Sequence, residues 1–302
     1  MPVRVALHPR HGRNRLYVVT GSDCSILVKQ DNLRSLQSRE CLAYHLLGET
    51  AFTQPPIFSV PELHLTAFRL DADCVTLEDL ARTNLRLTLR LLEELAVHAL
   101  ALYDLEPVPA LPPHRTMIDY PLPWLDQVQD TSASFRSLLI EAQKRDLLKR
   151  CVYEGPSQLH FSHGDLKLDN ILLSEGRPRL IDFECCCTAP LGYDTAGLVG
   201  LMLIATMREH FARESDETAS DFRPAFAHAA SVLRAFDAFV SARKWEPPAD
   251  PDQDRMLARF LIERALSEAM HRAVFTSSDG IYLDLAVAVL NHGLRNLCRA
   301  VA

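Results

Sequence analysis

The segment at residues 163–184 constrains the fold of this chain more than any other. It contains two short apolar runs, residues 171–173 and 179–181, on either side of a turn with a glycine and a proline. This pattern predicts a β-hairpin. Pairing of the two strands brings Asn170, which precedes the first run, beside Asp182, which follows the second, although the two are twelve positions apart.

An amide and a carboxylate that meet at one point suit a hard cation. Mg²⁺ takes oxygen ligands and keeps other positions for water and for phosphate oxygens. Asp165 lies five residues before Asn170 on the same loop, where its carboxylate can accept a hydrogen bond from a hydroxyl and orient it toward a phosphate. The residues therefore indicate phosphoryl transfer. The competing explanation is a hairpin with Asp and Asn at its ends by chance, since both are common turn residues.

The motif H-G-D-x4-N, followed at this spacing by I-D-F-E, resembles the catalytic and metal-binding motifs of the aminoglycoside phosphotransferase and choline kinase family, which is related to the protein kinases. The resemblance implies that Asp165 is the catalytic base. It also implies that Asn170 and Asp182 hold Mg²⁺, with Glu184 assisting the metal through water.

Two further positions of the motif bear on the acceptor and on control. Lys167 lies two residues after Asp165, where protein kinases have a lysine that meets the γ-phosphate and where small-molecule members of the superfamily often lack it. Gly164 occupies the place of an arginine that in many protein kinases pairs with a phosphorylated activation loop. Lys167 therefore mildly favours a peptide or protein hydroxyl as acceptor. Because Gly164 replaces the arginine, we expect no control through a phosphorylated activation loop.

The resemblance extends to the N-terminal part of the chain. Gly12, Arg13 and Asn14 lie in a loop similar to the nucleotide loop of the family, although this loop has one glycine instead of several. Lys29 ends a strand-like run similar to the one that carries the ATP-binding lysine. Glu40, eleven residues later, lies where the family has the carboxylate partner of that lysine. The resemblance implies that these five residues form the nucleotide site.

The pattern changes from β-rich to helix-rich near residue 77. We therefore expect an α+β, two-lobed protein-kinase-like fold, with a small β-rich N-lobe at residues 1–77, a larger helical C-lobe at residues 78–302 and a hinge at residues 77–80. Within the N-lobe, residues 33–44 have apolar residues and Glu40 at helical spacing. The predicted strands are residues 3–7, 15–20, 25–29, 62–70 and 74–77.

Helical periodicity dominates the rest of the chain. Residues 106–123 contain six of the 18 prolines and predict a loop. Gly192, Tyr193 and Asp194 resemble the helix-start motif that follows the catalytic hairpin in the family. The predicted helices are residues 85–105, 134–152, 226–244, 252–275 and 281–299.

Charge and cysteine usage argue against several classes of protein. With 39 acidic against 32 basic residues, the formal net charge is −7, which predicts binding neither to nucleic acid nor to anionic membranes. The apolar runs are far shorter than the roughly 20 residues that span a bilayer, and we expect a soluble, cytoplasmic protein. The eight cysteines include no C-x-x-C pair, which predicts reduced packing thiols.

These features predict a kinase that moves the γ-phosphate of ATP to a hydroxyl, with Mg²⁺ as cofactor. Two acceptor classes stay open: Ser or Thr of a peptide in a natural-product pathway, with a protein of that pathway as a candidate partner, and a small metabolite or antibiotic. The alternative is a pseudokinase-like module that holds a peptide or protein without catalysis. A metal-dependent hydrolase using His163 and Asp165 fits less well, because no second histidine lies at ligand spacing.

We expect C-lobe segments to bind the acceptor, including parts of residues 110–130, 208–225 and 252–282, because Asp165 and Asn170 fix the phosphate end of the cleft. The middle segment is acidic, which favours a cationic acceptor or a basic peptide region. A solvated acidic loop is the simpler explanation of the same charges. These acidic residues are Glu209, Glu214, Asp216, Glu217 and Asp221.

Overall fold

The computed structural model describes residues 4–7, 15–21, 25–31, 34–48, 50, 52–53, 55–70, 74–105, 111–113, 132–152, 159–212, 221–270 and 277–300. Its N-terminal strands are β1 (Arg4–Leu7), β2 (Arg15–Thr20), β3 (Ser25–Gln30), β4 (Phe58–Val60) and β5 (Leu65–Leu70). They form one antiparallel sheet in the order β1-β2-β3-β5-β4.

Lys29 lies on β3, the central strand of this sheet. It pairs with Leu16 on β2 and with Thr66 on β5, and it is only 5% exposed. Directly after the strand, the backbone N–H of Asp31 donates to the carbonyl of His64 at 2.9 Å. The sheet therefore holds a buried ammonium group at its centre.

The predicted strand at residues 62–70 is wrong in its first part. Pro61–Leu63 form a 3-10 turn, and His64 has a left-handed φ of 54°, which an extended strand does not accommodate. β5 therefore begins at Leu65. The pattern also does not predict β4, because three residues are too few to show an alternation.

Helix α1 (Arg34–Leu47) packs beneath the sheet. Its buried face includes Glu40 and Tyr44, 0% and 5% exposed, as the helical spacing predicts. The Tyr44 ring lies 5.7 Å from that of Phe68 on β5 and 5.3 Å from that of Phe183. Leu33 and the side chain of Leu36, which belong to the predicted face, lie outside the described part of the chain. The helix thus joins the sheet to the segment after the predicted hairpin.

Helices dominate the chain after residue 77, as predicted. Their buried faces are mostly aliphatic and belong to one large hydrophobic cluster. The helices are α2 (Leu77–Ala81), α3 (Leu85–Ala99), α4 (Ala133–Lys144), α5 (Leu147–Arg150), α6 (Tyr193–Ala212), α7 (Arg223–Ala242), α8 (Asp250–Ala269), α9 (Ser277–His292) and α10 (Leu294–Arg299).

Three predicted helices are shorter than the pattern indicates. The one at residues 85–105 is α-helical only to Ala99 and continues as a 3-10 turn. The one at residues 134–152 is divided at Asp146, where φ is 54°, and the one at residues 281–299 is divided at Gly293, where φ is 77°. A left-handed residue interrupts the helical hydrogen bonds while the apolar periodicity continues, so periodicity alone does not detect the break.

The predicted hairpin at residues 163–184 forms. Its strands are β8 (Ile171–Ser174) and β9 (Arg177–Leu180), and β6 (Val75–Thr76) joins them in a three-stranded sheet. A second pair consists of β7 (Leu159–Ser162) and β10 (Cys187–Pro190). The sequence pattern does not predict β10, because its cysteines and proline lack the composition typical of a strand.

The architecture is therefore α+β and two-lobed, with a β-rich N-lobe and a larger helical C-lobe. Within the described residues, no helix is both long and apolar enough to cross a membrane. The seven described cysteines are free thiols, and four of them are buried, in agreement with a packing role. Cys24 lies outside the described residues.

Candidate active site

The β8–β9 hairpin brings Asn170 close to the chain at Asp182. Ile171 pairs with Leu180, and the Asn170 carbonyl accepts a hydrogen bond from the backbone N–H of Ile181 at 3.0 Å. Asp182 follows with a left-handed φ of 67°, a conformation that is uncommon for a residue other than glycine. This turn in the backbone follows the end of β9, and the Asp182 carboxylate contacts Lys29 of the N-terminal sheet.

Asp165 lies in front of this hairpin between two cations. Lys167 Nζ is 3.0 Å from Asp165 Oδ2, and Arg264 Nη2 is 3.1 Å from Oδ1. Burial alone would raise the pKa of the Asp165 carboxyl, but the charges of Arg264 and Lys167 outweigh it and hold the pKa well below its ordinary value. Asp165 is therefore an oriented carboxylate at neutral pH.

Asn170 joins Asp165 to the hairpin. Its side-chain amide donates to the Asp165 carbonyl at 3.0 Å and approaches the Asp165 carboxylate at 3.4 Å. Since the nitrogen end of the planar amide is used in this way, the oxygen end points to the opposite side. That oxygen is thus placed to act as a ligand for a cation.

Buried polar contacts hold the backbone of the loop around Asp165. Asp194, at the start of α6, accepts hydrogen bonds from the Ser162 hydroxyl at 2.8 Å and from the His163 N–H at 3.1 Å. His163 Nε2 contacts the Ile181 carbonyl at 2.9 Å. Because burial lowers the pKa of His163, its imidazole is neutral and donates this bond. The His163 ring therefore links the loop to the residue that follows β9, and Asp194 links it to α6.

Gly164 has a steric reason for being glycine. Its φ is +78°, and a Cβ at this position would lie 2.0 Å from the Cys185 carbonyl oxygen. No side chain fits there, so the arginine that many protein kinases have at this place is excluded by the backbone itself. The loop before Asp165 instead lies directly against the segment that follows Asp182.

Lys29 meets four carboxylates between the sheet and the hairpin. Its Nζ lies 3.2 Å from Glu40, 3.5 Å from Asp31 and 2.6 Å from Glu184, and it also contacts Asp182. Burial alone would lower the pKa of Lys29, but these carboxylates, Glu40 foremost, raise it far above its ordinary value. Lys29 is thus a permanent cation, and Glu40 lies where the sequence predicts its partner.

The four carboxylates outnumber the single ammonium group they surround. Burial raises the pKa of Glu40 to about 8 and that of Asp31 to about 6, although the charge of Lys29 opposes both shifts. One Glu40 oxygen, Oε1, is buried without a hydrogen-bond partner. A proton or a divalent cation relieves such an excess of negative charge.

The oxygen atoms around Asn170, Asp182 and Glu184 fit Mg²⁺. No three His, Cys, Asp or Glu side chains of the described ranges converge as a preformed metal cage. Mg²⁺ does not need one, because it is usually bound through one or two carboxylates, with waters and substrate phosphates completing its coordination. The uncompensated carboxylate charge beside Lys29 supplies the electrostatic attraction that such an ion needs.

Some predicted site residues lie outside the described part of the chain. The predicted nucleotide loop with Gly12, Arg13 and Asn14 lies outside the described residues, and so do residues 110, 114–130, 213–220 and 271–276 of the predicted acceptor wall. Of the acidic residues predicted there, two are described: Glu209 is half-buried near the end of α6, and Asp221 pairs with Arg223 at 2.9 Å.

The fold and this arrangement agree with a comparison of the sequence with family models. The model of the phosphotransferase enzyme family, APH, matches residues 13–238. The chain belongs to this family. The match covers the central strands of the N-lobe, the β8–β9 hairpin, helix α6 and most of helix α7. In this phosphotransferase, Asp165 and Lys29 with its four surrounding carboxylates all lie within the matched range. Helix α8, which carries Arg264, lies beyond it.

Solved structures share the fold of this phosphotransferase. An ethanolamine kinase of Plasmodium vivax is 12% identical, with a TM-score of 0.53 over 99% of this chain and 84% of the other. A choline kinase of Cryptosporidium parvum is also 12% identical, with a TM-score of 0.53 over 99% and 93%. A thermostable mutant of an aminoglycoside phosphotransferase, in ternary complex with AMP-PNP and hygromycin B, is 15% identical, with a TM-score of 0.50 over 99% and 94%. No protein with curated annotation matches the sequence significantly.

The sequence pattern missed two residues of this phosphotransferase site. Asp31 lies two positions after Lys29 and contacts it, but its position at the end of a strand resembles that of an ordinary turn residue. Arg264 lies 99 positions from Asp165 in a helix with no motif. Only the three-dimensional structure shows that these side chains reach Lys29 and Asp165.

Proposed function

We propose that this phosphotransferase moves the γ-phosphate of ATP to a hydroxyl acceptor, with Mg²⁺ as cofactor and with the nucleotide between an N-lobe of residues 1–77 and a C-lobe of residues 78–302. One observation carries the proposal: the oriented Asp165 carboxylate and the Lys29–Glu40 pair lie at the two sides of the same hairpin end, where Asn170 and Asp182 meet. These are the groups that in-line phosphoryl transfer requires.

On the nucleotide side, we assign Lys29 to the α- and β-phosphates. Glu40 holds the ammonium group in place from α1, so that Lys29 is oriented before the nucleotide arrives. Gly12, Arg13 and Asn14 would cover the phosphates, and the arginine would add positive charge where the loop lacks further glycines. AMP-PNP is present in the aminoglycoside phosphotransferase complex with the same fold, which supports ATP as the donor.

Asn170, Asp182 and Glu184 would hold Mg²⁺. When bound, this ion neutralises charge on the phosphate oxygens of the nucleotide. The residues themselves set its place: Asn170 is fixed by its hydrogen bond to the Asp165 carbonyl, and Asp182 is fixed by the end of β9. Glu184, which is 5% exposed, contacts Lys29 at 2.6 Å and balances its charge.

Asp165 would orient the acceptor hydroxyl and take its proton. In the transfer step, the hydroxyl oxygen forms a bond to the γ-phosphorus, the bond from that phosphorus to the β–γ bridging oxygen breaks, and ADP leaves. A carboxylate oxygen has two acceptor sites, so Asp165 can accept from the hydroxyl while it keeps its cations. Lys167 is close enough to Asp165, at 3.0 Å, to reach the transferred phosphate as well.

Two acceptor classes are consistent with this site. The position of Lys167 beside Asp165 supports a peptide Ser or Thr, with a protein of the same biosynthetic pathway as a partner. The small molecule bound in the neighbouring structure, hygromycin B, supports a small hydroxylated acceptor. The two classes differ in size and not in reaction, so the same assay distinguishes them.

The test uses the full chain and labelled ATP. We expect Mg²⁺ with AMP-PNP to raise the Tm of the wild type and not that of Asp182→Ala. Transfer of label is then measured to a panel of Ser- and Thr-containing peptides and to a panel of small molecules with choline, ethanolamine and hygromycin B. Absence of nucleotide binding would overturn the proposal. Nucleotide binding without transfer or phosphate release would instead establish a binding module.

A further inference from the structure

Arg264 and Lys167 each pair with a different oxygen of the Asp165 carboxylate. Arg264 Nη2 lies 3.1 Å from Oδ1, and Lys167 Nζ lies 3.0 Å from Oδ2. Lys167 comes from the same loop as Asp165 and has a side chain that is 38% exposed, whereas Arg264 comes from α8 and is 19% exposed. Arg264 is therefore the cation that fixes Asp165 relative to a different part of the molecule.

The position of Arg264 is itself fixed by close packing of α8 against α6. The Phe260 ring packs closely against two glycines of α6: an added Cβ would lie 2.5 Å from the ring at Gly200 and 3.3 Å from it at Gly197. Arg264 follows Phe260 by one helical turn and lies over its ring, with 5.9 Å between the guanidinium carbon and the ring centroid. The start of α6 carries Asp194, which holds the catalytic loop. The loop and Arg264 thus share one rigid support.

Lys167 cannot replace Arg264 in this task. A lysine on the same loop moves together with Asp165, so it does not define the direction of the carboxylate with respect to the C-lobe. If Lys167 turns toward the transferred phosphate, as the proposed function assigns, Oδ1 and its bond to Arg264 remain as the external anchor of the carboxylate. A planar guanidinium on a buried, packed stem suits an anchor, because it loses little freedom on forming the bond.

We infer that Arg264 is a positioning residue of phosphoryl transfer, which acts by holding Oδ1 of Asp165 so that the carboxylate faces the acceptor hydroxyl. This inference rests on the proposed function. It also gives α8 a role in the reaction: the helix places the anchor of Asp165, and a displacement of α8 would misdirect the carboxylate.

The first experiment compares Arg264→Ala with Arg259→Ala. Arg259 is a matched control, since it lies on the same helix, is 14% exposed and pairs with Glu263 at 3.6 Å. The assay is phosphate release from Mg²⁺-ATP with water as the acceptor. We expect Arg264→Ala to lower kcat about 10- to 100-fold, a range typical of misplacing a catalytic group by about 1 Å, with the KM for ATP unchanged within about twofold. Arg259→Ala should keep the wild-type kcat.

The second experiment separates positioning from mere structural support. If Arg264 acts through Asp165, its removal has no further effect in an Asp165→Asn background, and the two substitutions are not additive. Arg264→Lys, which keeps the charge and most of the stem, should recover at least about a third of the lost activity on a logarithmic scale. If Arg264→Ala does not fold, Arg264→Lys and Arg264→Gln provide the same comparison between charged and neutral side chains.

The outcomes distinguish the two proposals. A wild type that releases no phosphate and transfers none contradicts the proposed function. An active wild type in which Arg264→Ala or Arg264→Gln keeps the wild-type kcat contradicts the positioning role alone. If Arg264→Ala lowers kcat by the same factor in the wild type and in Asp165→Asn, Arg264 gives structural support only, and the inference is overturned.

Discussion

The ammonium group of Lys29 lies 3.2 Å from Glu40 Oε2, although the two residues are eleven positions apart, one on a strand and one on a helix. Asp31, Asp182 and Glu184 approach the same nitrogen. Each of these carboxylates is largely removed from water, so the lysine is the counter-ion for all of them. Lys29 is therefore expected to matter for stability as well as for nucleotide binding.

Replacement of Lys29 by Met should lower turnover strongly and also destabilise the fold. Loss of one partner from a buried ion pair leaves an uncompensated charge, which costs about 3–5 kcal/mol. A second substitution, Glu40→Gln, should recover part of the stability of Lys29→Met and none of its activity. Urea unfolding and phosphate release measure the two effects. Lys149→Met, at a side chain that is 88% exposed, is the control and should change neither.

Asp165→Asn should fold and bind Mg²⁺-AMP-PNP with nearly wild-type affinity, while its kcat falls at least about 100-fold. The amide keeps the shape of the side chain but cannot take a proton, and general-base catalysis typically contributes about 10²–10⁴-fold. Phosphate release and nucleotide titration measure the two quantities separately. Glu175→Gln, in the hairpin turn and paired with Arg179 at 3.3 Å, is the control. Normal turnover of Asp165→Asn would contradict the proposed mechanism.

Asp182→Ala should fail in a different way. It removes a proposed metal ligand and a contact of Lys29, so the dependence of nucleotide affinity on Mg²⁺ should disappear. We expect titrations with AMP-PNP to give the same weak Kd in the presence of Mg²⁺ and of EDTA. A Kd that still improves when Mg²⁺ is added would show that the ion is held elsewhere.

The local features of the site follow from the sequence, because they depend on residues close together in the chain. The β8–β9 hairpin needs only two apolar runs and a turn, and it brings Asn170 to Asp182 without help from other elements. Glu40 is predicted by the helical spacing of a buried face. In both cases the pattern that forms the element also places the functional side chain.

The contacts between distant elements do not follow in this way. Arg264 reaches Asp165 only because Phe260 packs against Gly197 and Gly200, and nothing in the sequence pairs these helices. Likewise, the reason for glycine at position 164 is the carbonyl of Cys185, an atom that every residue type has. Such restraints come from tertiary packing, which periodicity and motif spacing do not predict.

Gly164→Ala should unfold the catalytic loop or displace it. The added Cβ would lie 2.0 Å from a backbone oxygen, in a residue with φ of +78°, so both steric overlap and backbone strain oppose it. Gly176→Ala is a matched control, since its φ is +74° but no atom lies within 4 Å of the new Cβ. We expect about 1 kcal/mol from the strain alone at Gly176, and a much larger loss of stability with loss of turnover at Gly164. Equal effects would contradict the steric argument.

Asp194 should give the stability of the protein a specific dependence on pH. Burial raises the pKa of its carboxyl to about 6, although the hydrogen bonds from Ser162 and His163 oppose the shift. An acid with a raised pKa binds more protons in the folded state than in the unfolded state, so its contribution to stability is fully present below the ordinary pKa near 4 and is lost as the pH rises through 6.

The variant Asp194→Asn tests this dependence, because its side chain does not titrate. The free energy of unfolding of the wild type, minus that of Asp194→Asn, should therefore fall by on the order of 2 kcal/mol between pH 4.5 and 7.5. Urea midpoints at four values of pH measure this difference, with Asp284→Asn, at a side chain that is 66% exposed, as the control for loss of a carboxylate. A difference that stays constant over this range would mean that Asp194 is ionised throughout and that its two hydrogen bonds outweigh burial.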